Sequence, residues 1–436
     1  MCLDCQMSTV KQNFIEELRW RNMLQDVMPE TENLLNSKMV TGYIGFDPTA
    51  DSLGVGNLVQ IMTLTHFQNA GHKPMALLGG ATGMVGDPSG KSAERNLLNE
   101  ETLQHNLACQ KAQLEKFLNF DCGDNSAVLV NNYDWFKTFN FLDFIRDVGK
   151  HITVNYMMAK DSVKNRLENG MSFTEFSYQL VQGYDFYYLW KHHGVQLQMG
   201  GSDQWGNIVT GTELIRRKDS GEAFALTTPL IKKADGTKFG KSENGNIWLD
   251  PKRTSPYAFY QFWLNAADAD VVNYMRIFSL KGRAEIEAIE AEHLTNPGAR
   301  LMQKELAKEI TIRVHSEDAY NKAVRASEIL FGKGSAEDLA TIDEETLLNV
   351  MEGVPQAKLS NAELAEGINI IDFLSEKINL LPSKTEAKKM LQGNGISINK
   401  AKVSDLTTTI NTSFLIKGKY ILAQKGKGNY CLVTVE

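Results

Sequence analysis

Two lysines three apart, in Lys238-Phe239-Gly240-Lys241-Ser242, follow the turn-forming lead Ala234-Asp235-Gly236-Thr237. With glycine between them both ammonium groups can turn onto one polyanion, and an ammonium is a good point charge for phosphate. By itself this pattern describes a solvated loop as readily as a site. Upstream, however, stand three more polar, glycine-rich stretches: Asp47-Pro48-Thr49-Ala50-Asp51-Ser52-Leu53-Gly54-Val55-Gly56-Asn57, Gly86-Asp87-Pro88-Ser89-Gly90-Lys91, and Gly200-Gly201-Ser202-Asp203-Gln204-Trp205-Gly206-Asn207. A further carboxylate, Asp185, sits between Gly183-Tyr184 and Phe186-Tyr187-Tyr188-Leu189-Trp190. An acid in such company reads as a ligand contact rather than a solvated surface group.

The elements that must carry these loops follow the pattern of an α/β protein. Val40-Thr41-Gly42-Tyr43-Ile44-Gly45-Phe46-Asp47 reads as a strand entering a turn at Pro48. A helix from about Asn57 presents Leu58, Ile61, Met62, Leu64, Thr65 and Phe67 to one side and stops at Asn69-Ala70-Gly71. A buried strand, Pro74 to Leu78, then leads into the glycine-rich loop 79–91. Strand, helix, strand at this spacing is a parallel βαβ unit. Ala127 to Asn132 and Val195 to Gly201 are further strands, the latter ending in glycines. Parallel sheets bind ligands beyond the carboxyl ends of their strands, where these polar turns lie. An amphipathic helix is expected around Lys11 to Gln25, and helices from Thr254 to about Phe331. The expected division is a Rossmann-like catalytic domain over 1–253, a helical domain over 254–331, a linker over 332–377 and a small basic α+β domain over 378–436.

Composition bounds the class. The chain has 436 residues, 46 Lys plus Arg against 53 Asp plus Glu, and 42% hydrophobic residues, the balance of a globular protein of two or three domains. No apolar run approaches a membrane span, and the first ten residues lack a basic head or hydrophobic stretch, so a cytoplasmic protein is expected. Five cysteines are too few and scattered for a disulfide framework; Cys2 and Cys5 have half of a zinc-site spacing with no second pair. From Ile378 onward nine lysines face Glu386, Asp405 and Glu436, a net +6 that leaves −13 for the remainder of a chain whose total is −7. A basic unit appended to an acidic body suits a protein that holds phosphates at one end. The alternating runs Gly395 to Asn399 and Tyr430 to Val435 mark this tail as folded.

Taken together, the four glycine-rich stretches, with Val154-Asn155-Tyr156-Met157-Met158-Ala159-Lys160 and Ser172-Phe173-Thr174-Glu175-Phe176-Ser177-Tyr178, resemble the tyrosyl-tRNA synthetases of bacterial and organellar type, class I aminoacyl-tRNA synthetases. The resemblance runs from about Gly42 through Phe331. The tail, with Ser383-Lys384-Thr385-Glu386-Ala387-Lys388-Lys389, is similar to the RNA-binding fold that such enzymes share with a small-subunit ribosomal protein. This implies activation of L-tyrosine with ATP to tyrosyl-adenylate and pyrophosphate, then transfer to a tyrosine tRNA, without a covalent enzyme intermediate. The implied catalytic residues are Lys238 and Lys241, with Thr49, Lys91 and Arg95 assisting. Tyr43 and Asp185 are implied as readers of the tyrosine phenol, and Tyr178, Gln182 and Asp87 as readers of its amino group. Gln204 is implied on the tyrosine side, with Asn132 and Gln198 in or beside the pocket. Gly45, Asp47, Gly56, Asn57, Asp203 and Lys241 are the implied nucleotide contacts. Magnesium is expected to arrive on ATP, with no dedicated protein metal site. The resemblance further implies a homodimer, paired near Tyr133 to Lys160, and no membrane or DNA partner; the aromatics of that stretch, Trp135, Phe136, Phe139, Phe141 and Phe144, suit an interface and a core equally.

One departure from the family pattern stands out. The two-histidine nucleotide signature is Gly54-Val55-Gly56-Asn57 here. Asn57 can still donate to phosphate or ribose, whereas Gly54 offers no side chain; histidine at position 54 is expected to be tolerated. Ile44 stands where a polar ribose contact often occurs. A non-catalytic RNA-binding relative would have no chemical reason to keep both lysines and the tyrosine contacts. A tryptophan-activating relative would use Tyr43 and Asp185 poorly, because an indole only donates.

Overall fold

The structure, a computed structural model, describes residues 13–87, 99–160, 163–164, 170–242, 245–332, 334–351, 354–426 and 429–436. Six strands, Asp26–Val27 (β1), Thr41–Phe46 (β2), Lys73–Leu78 (β3), Val128–Asn131 (β4), Val195–Gly201 (β5) and Phe224–Thr228 (β6), form one sheet in the order β1-β6-β5-β2-β3-β4. All neighbours from β2 to β6 pair parallel; only the edge strand β1 is antiparallel, with Asp26 facing Thr227. The expected parallel sheet therefore carries one antiparallel edge, too short for sequence alternation to reveal. Burial on both faces explains why β3 reads as an unbroken apolar run: its last five residues are all buried. The chain steps outward from β2 through β3 to β4 on one side and from β5 to β6 on the other. The order thus reverses between β2 and β5, which opens a crevice at their carboxyl ends.

Two helices position that crevice. Leu58–Asn69 follows β2 through the 3-10 turn Val55–Asn57 and buries Ile61, Leu64 and Phe67. Phe173–His193 begins where the Ser172 side chain accepts from Glu175 N and ends on Gly194, whose φ of 67° favours glycine. No apolar stripe announces this 21-residue helix, because its buried face mixes Tyr178, Gln179 and Asp185 with Phe186 and Leu189. The N-terminal helix is shorter than its periodicity suggests, Phe14–Trp20. Asn22 turns to φ 59°, and Arg21 points inward to donate to Ser279 O at 2.8 Å and Lys281 O at 3.0 Å.

The chain divides into two units. One runs up to Thr254 and takes in Phe262–Val314; the other joins Ser255–Gln261 to His315–Glu436. The helical segment 254–331 is accordingly not a body of its own. Nor is 332–377 a linker. It holds helices Ala336–Thr341 and Glu344–Val350, and its strand Gln356–Leu359 pairs parallel with Asn429–Val435 at the edge of a five-stranded sheet. Leu364, Ile370, Phe373 and Leu374 share one core with Leu391, Ile396, Ile421 and Val433. The sequence reading placed the boundary at a change in charge, whereas burial of apolar side chains ignores charge. Among the described residues, no helix is long and apolar enough to cross a membrane.

Candidate functional site

A cleft of about 350 Å³ opens at the carboxyl ends of β2 and β5. Its deep end is built on Asp185, only 1% exposed, from the helix Phe173–His193. The carboxylate accepts from Asn132 Nδ2 at 3.0 Å and from Trp135 Nε1 at 2.9 Å, so each oxygen is held by one neutral donor. Asn132 is fixed in turn: its Oδ1 accepts from Ala81 N at 2.6 Å and its Nδ2 also reaches Thr82 Oγ1 at 3.1 Å. Burial pushes the Asp185 carboxyl up to about 8, against the two hydrogen bonds, which favour the charged form. Tyr43 lies beside it. Burial, with the Asp185 charge adding to it, holds the Tyr43 phenol well above its ordinary range, and its Oη is buried without a hydrogen-bond partner. A buried, unsatisfied hydroxyl costs about 1–3 kcal/mol, a cost that a ligand hydroxyl at this place would remove.

The middle of the cleft collects acceptors. Tyr178 Oη donates to Asp47 Oδ2 at 3.0 Å, and Thr82 Oγ1 donates to Asp47 Oδ1 at 2.8 Å. Asp47 therefore organises Tyr178 as well as lining the cleft. Asp87 Oδ2 accepts from Gln204 Nε2 at 2.8 Å, and Gln182 and Gln198 each present a buried Oε1 without a partner. Carboxylates and unpaired carbonyl oxygens gathered at one point suit an ammonium group.

At the outer end the 3-10 turn Val55–Asn57 is closed by Asn57, whose Oδ1 accepts from Gly54 N at 3.0 Å. The Asn57 Nδ2 remains as a donor at the rim. Gly45, Thr49, Gly56 and Asp203 line the same end. Lys238 and Lys241 are exposed and do not line the cleft, but the loop between them rests on it: at Gly240 (φ 80°) any Cβ would come 3.1 Å from Gly56 N. The two signatures, far apart in sequence, thus meet backbone to backbone. Gly54 is similarly enclosed. It pairs with Trp248, and a Cβ there would stand 3.3 Å from Ile247 O. A histidine at position 54 must displace that carbonyl, so the expected tolerance has a steric price.

The cleft brings together Tyr43, Gly45, Asp47, Thr49, Gly56, Asn57, Asp87, Tyr178, Gln182, Asp185, Asp203 and Gln204. Lys91 and Arg95 lie outside the described residues, as do Cys2 and Cys5. Of the aromatics that the sequence left between interface and core, Trp135 is core, a buried donor to Asp185. Gln60 was missed altogether. It lines the cleft one helical turn beyond Asn57, with Nε2 on Thr228 Oγ1 at 2.8 Å and Oε1 buried and unpaired. Its i+3 spacing from Asn57 was the available signal, overlooked because only the apolar face of that helix was followed. Among the described residues, no group of three or more His, Cys, Asp or Glu is placed to hold a metal ion.

In the C-terminal unit much of the basic charge is already committed. Lys384 pairs with Asp372 at 2.7 Å and Glu376 at 2.9 Å, and Lys419 with Glu344 at 3.3 Å. Lys400, Lys402 and Lys417 donate to the carbonyls of Leu330, Asn394 and Ala340. Lys388, Lys389 and Lys425 have no side-chain partner among the described residues, and Lys427 lies outside them.

Comparison with known proteins agrees with this arrangement. A family model described as tRNA synthetases class I (W and Y) matches residues 35–332, and one described as Tyrosine--tRNA ligase SYY-like C-terminal domain matches residues 346–433. The Tyrosine--tRNA ligase of Bacteroides thetaiotaomicron is 62% identical over 97% of this chain and 100% of its own length. That of Cytophaga hutchinsonii is 62% identical over 97% and 99%. A C-terminally truncated mitochondrial tyrosyl-tRNA synthetase of Aspergillus nidulans superposes with a TM-score of 0.65 at 31% identity, covering 73% of this chain and 94% of that one.

Proposed function

The chain belongs to the tyrosyl-tRNA synthetases, and from that premise we propose how its cleft divides the work of the reaction. The enzyme activates L-tyrosine with ATP to tyrosyl-adenylate and pyrophosphate, then transfers the tyrosyl group to its tRNA. The substrate phenol enters the deep end, donating to Asp185 and accepting from Tyr43 Oη. Its ammonium group lies among Tyr178, Gln182 and Asp87, with Gln204 holding Asp87 in place. Displacement at the α-phosphate needs no protein nucleophile; the tyrosine carboxylate attacks and pyrophosphate leaves. Catalysis is then positioning plus stabilisation of charge on the departing oxygens. Lys238 and Lys241 supply that charge, with Thr49, Lys91 and Arg95 assisting, while Gly45, Asp47, Gly56, Asn57 and Asp203 hold the nucleotide. ATP enters as its magnesium complex, the ion carried on the phosphates.

The protein is taken to act in the cytoplasm as a homodimer. Phe141, Leu142, Ile145 and Val154 are 62%, 70%, 47% and 63% exposed, an apolar patch that a partner copy would cover. The unengaged Lys388, Lys389 and Lys425 would meet tRNA phosphates.

The observation that carries the amino-acid assignment is the unpaired Tyr43 hydroxyl buried beside Asp185. Phenylalanine in the same place leaves the Tyr43 hydroxyl unsatisfied and brings Asp185 no donor. Asp185→Ala should therefore damage kcat/KM for tyrosine in pyrophosphate exchange far more than for phenylalanine. An equal loss for both amino acids would assign Asp185 to structure alone.

A further inference from the structure

The loop that carries the two lysines is anchored by the residue between them. Phe239 is 9% exposed while Lys238 and Lys241 on either side of it are exposed. Its ring stacks on Phe278 with centroids 5.3 Å apart and planes 16° apart, and lies 4.9 Å from Tyr274 and 5.9 Å from both Phe262 and Trp263. The lead into the loop is a hydrogen-bonded turn, Gly236 N to Lys233 O at 2.8 Å, tied down by Ala234 N donating to Asp270 Oδ1 at 2.8 Å. The exit is tied to the nucleotide signature itself. Val55 N donates to Ile247 O and Leu249 N to Leu53 O, both at 2.9 Å, and Ile247 N donates to Gly240 O at 3.0 Å.

A loop of Gly, Asp, Thr and Lys has little apolar surface with which to resist its own conformational entropy. One aromatic ring in a socket of four aromatics supplies most of what is available. We propose that Phe239 is a positioning residue for adenylate formation: seated among Phe262, Trp263, Tyr274 and Phe278, it holds Gly240 against Gly56 and so sets where Lys238 and Lys241 meet the nucleotide. The proposal rests on the assignment of those lysines to the departing pyrophosphate. Phe239 itself touches no substrate; it acts through the ammonium groups on either side.

The test is single-turnover adenylate formation with ATP varied, alongside equilibrium binding of tyrosine to the full-length enzyme. Phe239→Ala should lower the rate constant by about a hundredfold, the scale on which small misplacements of a charged group are felt. Tyrosine affinity should stay within about twofold, since the phenol site lies at the other end of the cleft. Phe239→Leu, which keeps apolar volume without ring stacking, should fall in between, at about tenfold, and carries the test if the alanine variant does not fold. In a Lys238→Ala/Lys241→Ala background either substitution should add less than about a further twofold, because residues acting as a unit are non-additive. Losses that multiply in that background, or weaken tyrosine binding in parallel, would overturn the proposal in favour of general packing. Native rates for both Phe239 variants, with a large loss for the lysine variant, would overturn it while leaving the lysine assignment standing. A native rate in the lysine variant would remove the assignment and this proposal with it.

Discussion

Asp185 shows how one side chain is prepared by its surroundings. Burial alone would keep it protonated, yet Asn132 and Trp135 each donate to it, and the balance leaves its carboxyl at about 8. A phenol that donates a hydrogen bond binds the charged form better, so protonation of Asp185 competes with tyrosine. Tyrosine affinity should therefore rise as pH climbs toward about 8 and level off above it. The slope approaches tenfold per pH unit, at roughly 1.4 kcal/mol each, only if the protonated form does not bind at all. Isothermal titration across this range checks it, and Asp185→Asn should flatten the profile. Affinity that falls as pH rises would mean that a protonated Asp185 donates to the phenol instead. The pentapeptide around Phe239 shows the complementary case, two exposed charges whose placement depends on a buried neutral ring.

Elements set which of these residues can meet. The strand–helix–strand pattern from Val40 to Leu78 was legible in the sequence, because β2 and β3 are apolar runs bounded by glycine, proline and aspartate and the helix Leu58–Asn69 has a recognisable stop. The helix Phe173–His193 was not, although it supplies Tyr178, Gln182 and Asp185, since polar residues that line the cleft interrupt its apolar face. The C-terminal boundary was misjudged for a related reason: Gln356–Leu359 is a weakly patterned strand whose partner, Asn429–Val435, lies at the other end of the unit. A truncation at Leu381 would strand that segment and expose Ile370, Phe373 and Leu374. Removal of residues from Ser335 onward takes the whole sheet and its core. That variant should keep tyrosine-dependent pyrophosphate exchange and lose tRNA charging, because phosphate contacts govern RNA affinity and not adenylate chemistry. Charging that survives the truncation at ordinary salt would contradict a tRNA-holding role for this unit.

At the scale of the whole molecule, the lysines are concentrated in the last segment of the chain, from Ile378 onward, where Lys388, Lys389 and Lys425 are left for phosphate, while the acidic residues between His315 and Lys377 belong to the same unit and offset that charge. Most of the cleft could be named from sequence, since Tyr43, Asp87, Tyr178, Asp185 and Gln204 sit in motifs with distinctive neighbours. What sequence could not convey was contact. The bond from Trp135 to Asp185, the seat of Phe239 and the crowding of Gly54 by Ile247 all join residues from separate segments. The last of these leaves position 54 tight, a Cβ there standing 3.3 Å from Ile247 O. The central claim is that this one cleft selects a phenol and activates it with ATP. Amino-acid-dependent exchange of labelled pyrophosphate into ATP, run with each of the twenty amino acids on the native enzyme, tests it most directly. The account predicts exchange with tyrosine and only background with phenylalanine and tryptophan; exchange with none of them, or with phenylalanine as readily as with tyrosine, would contradict it.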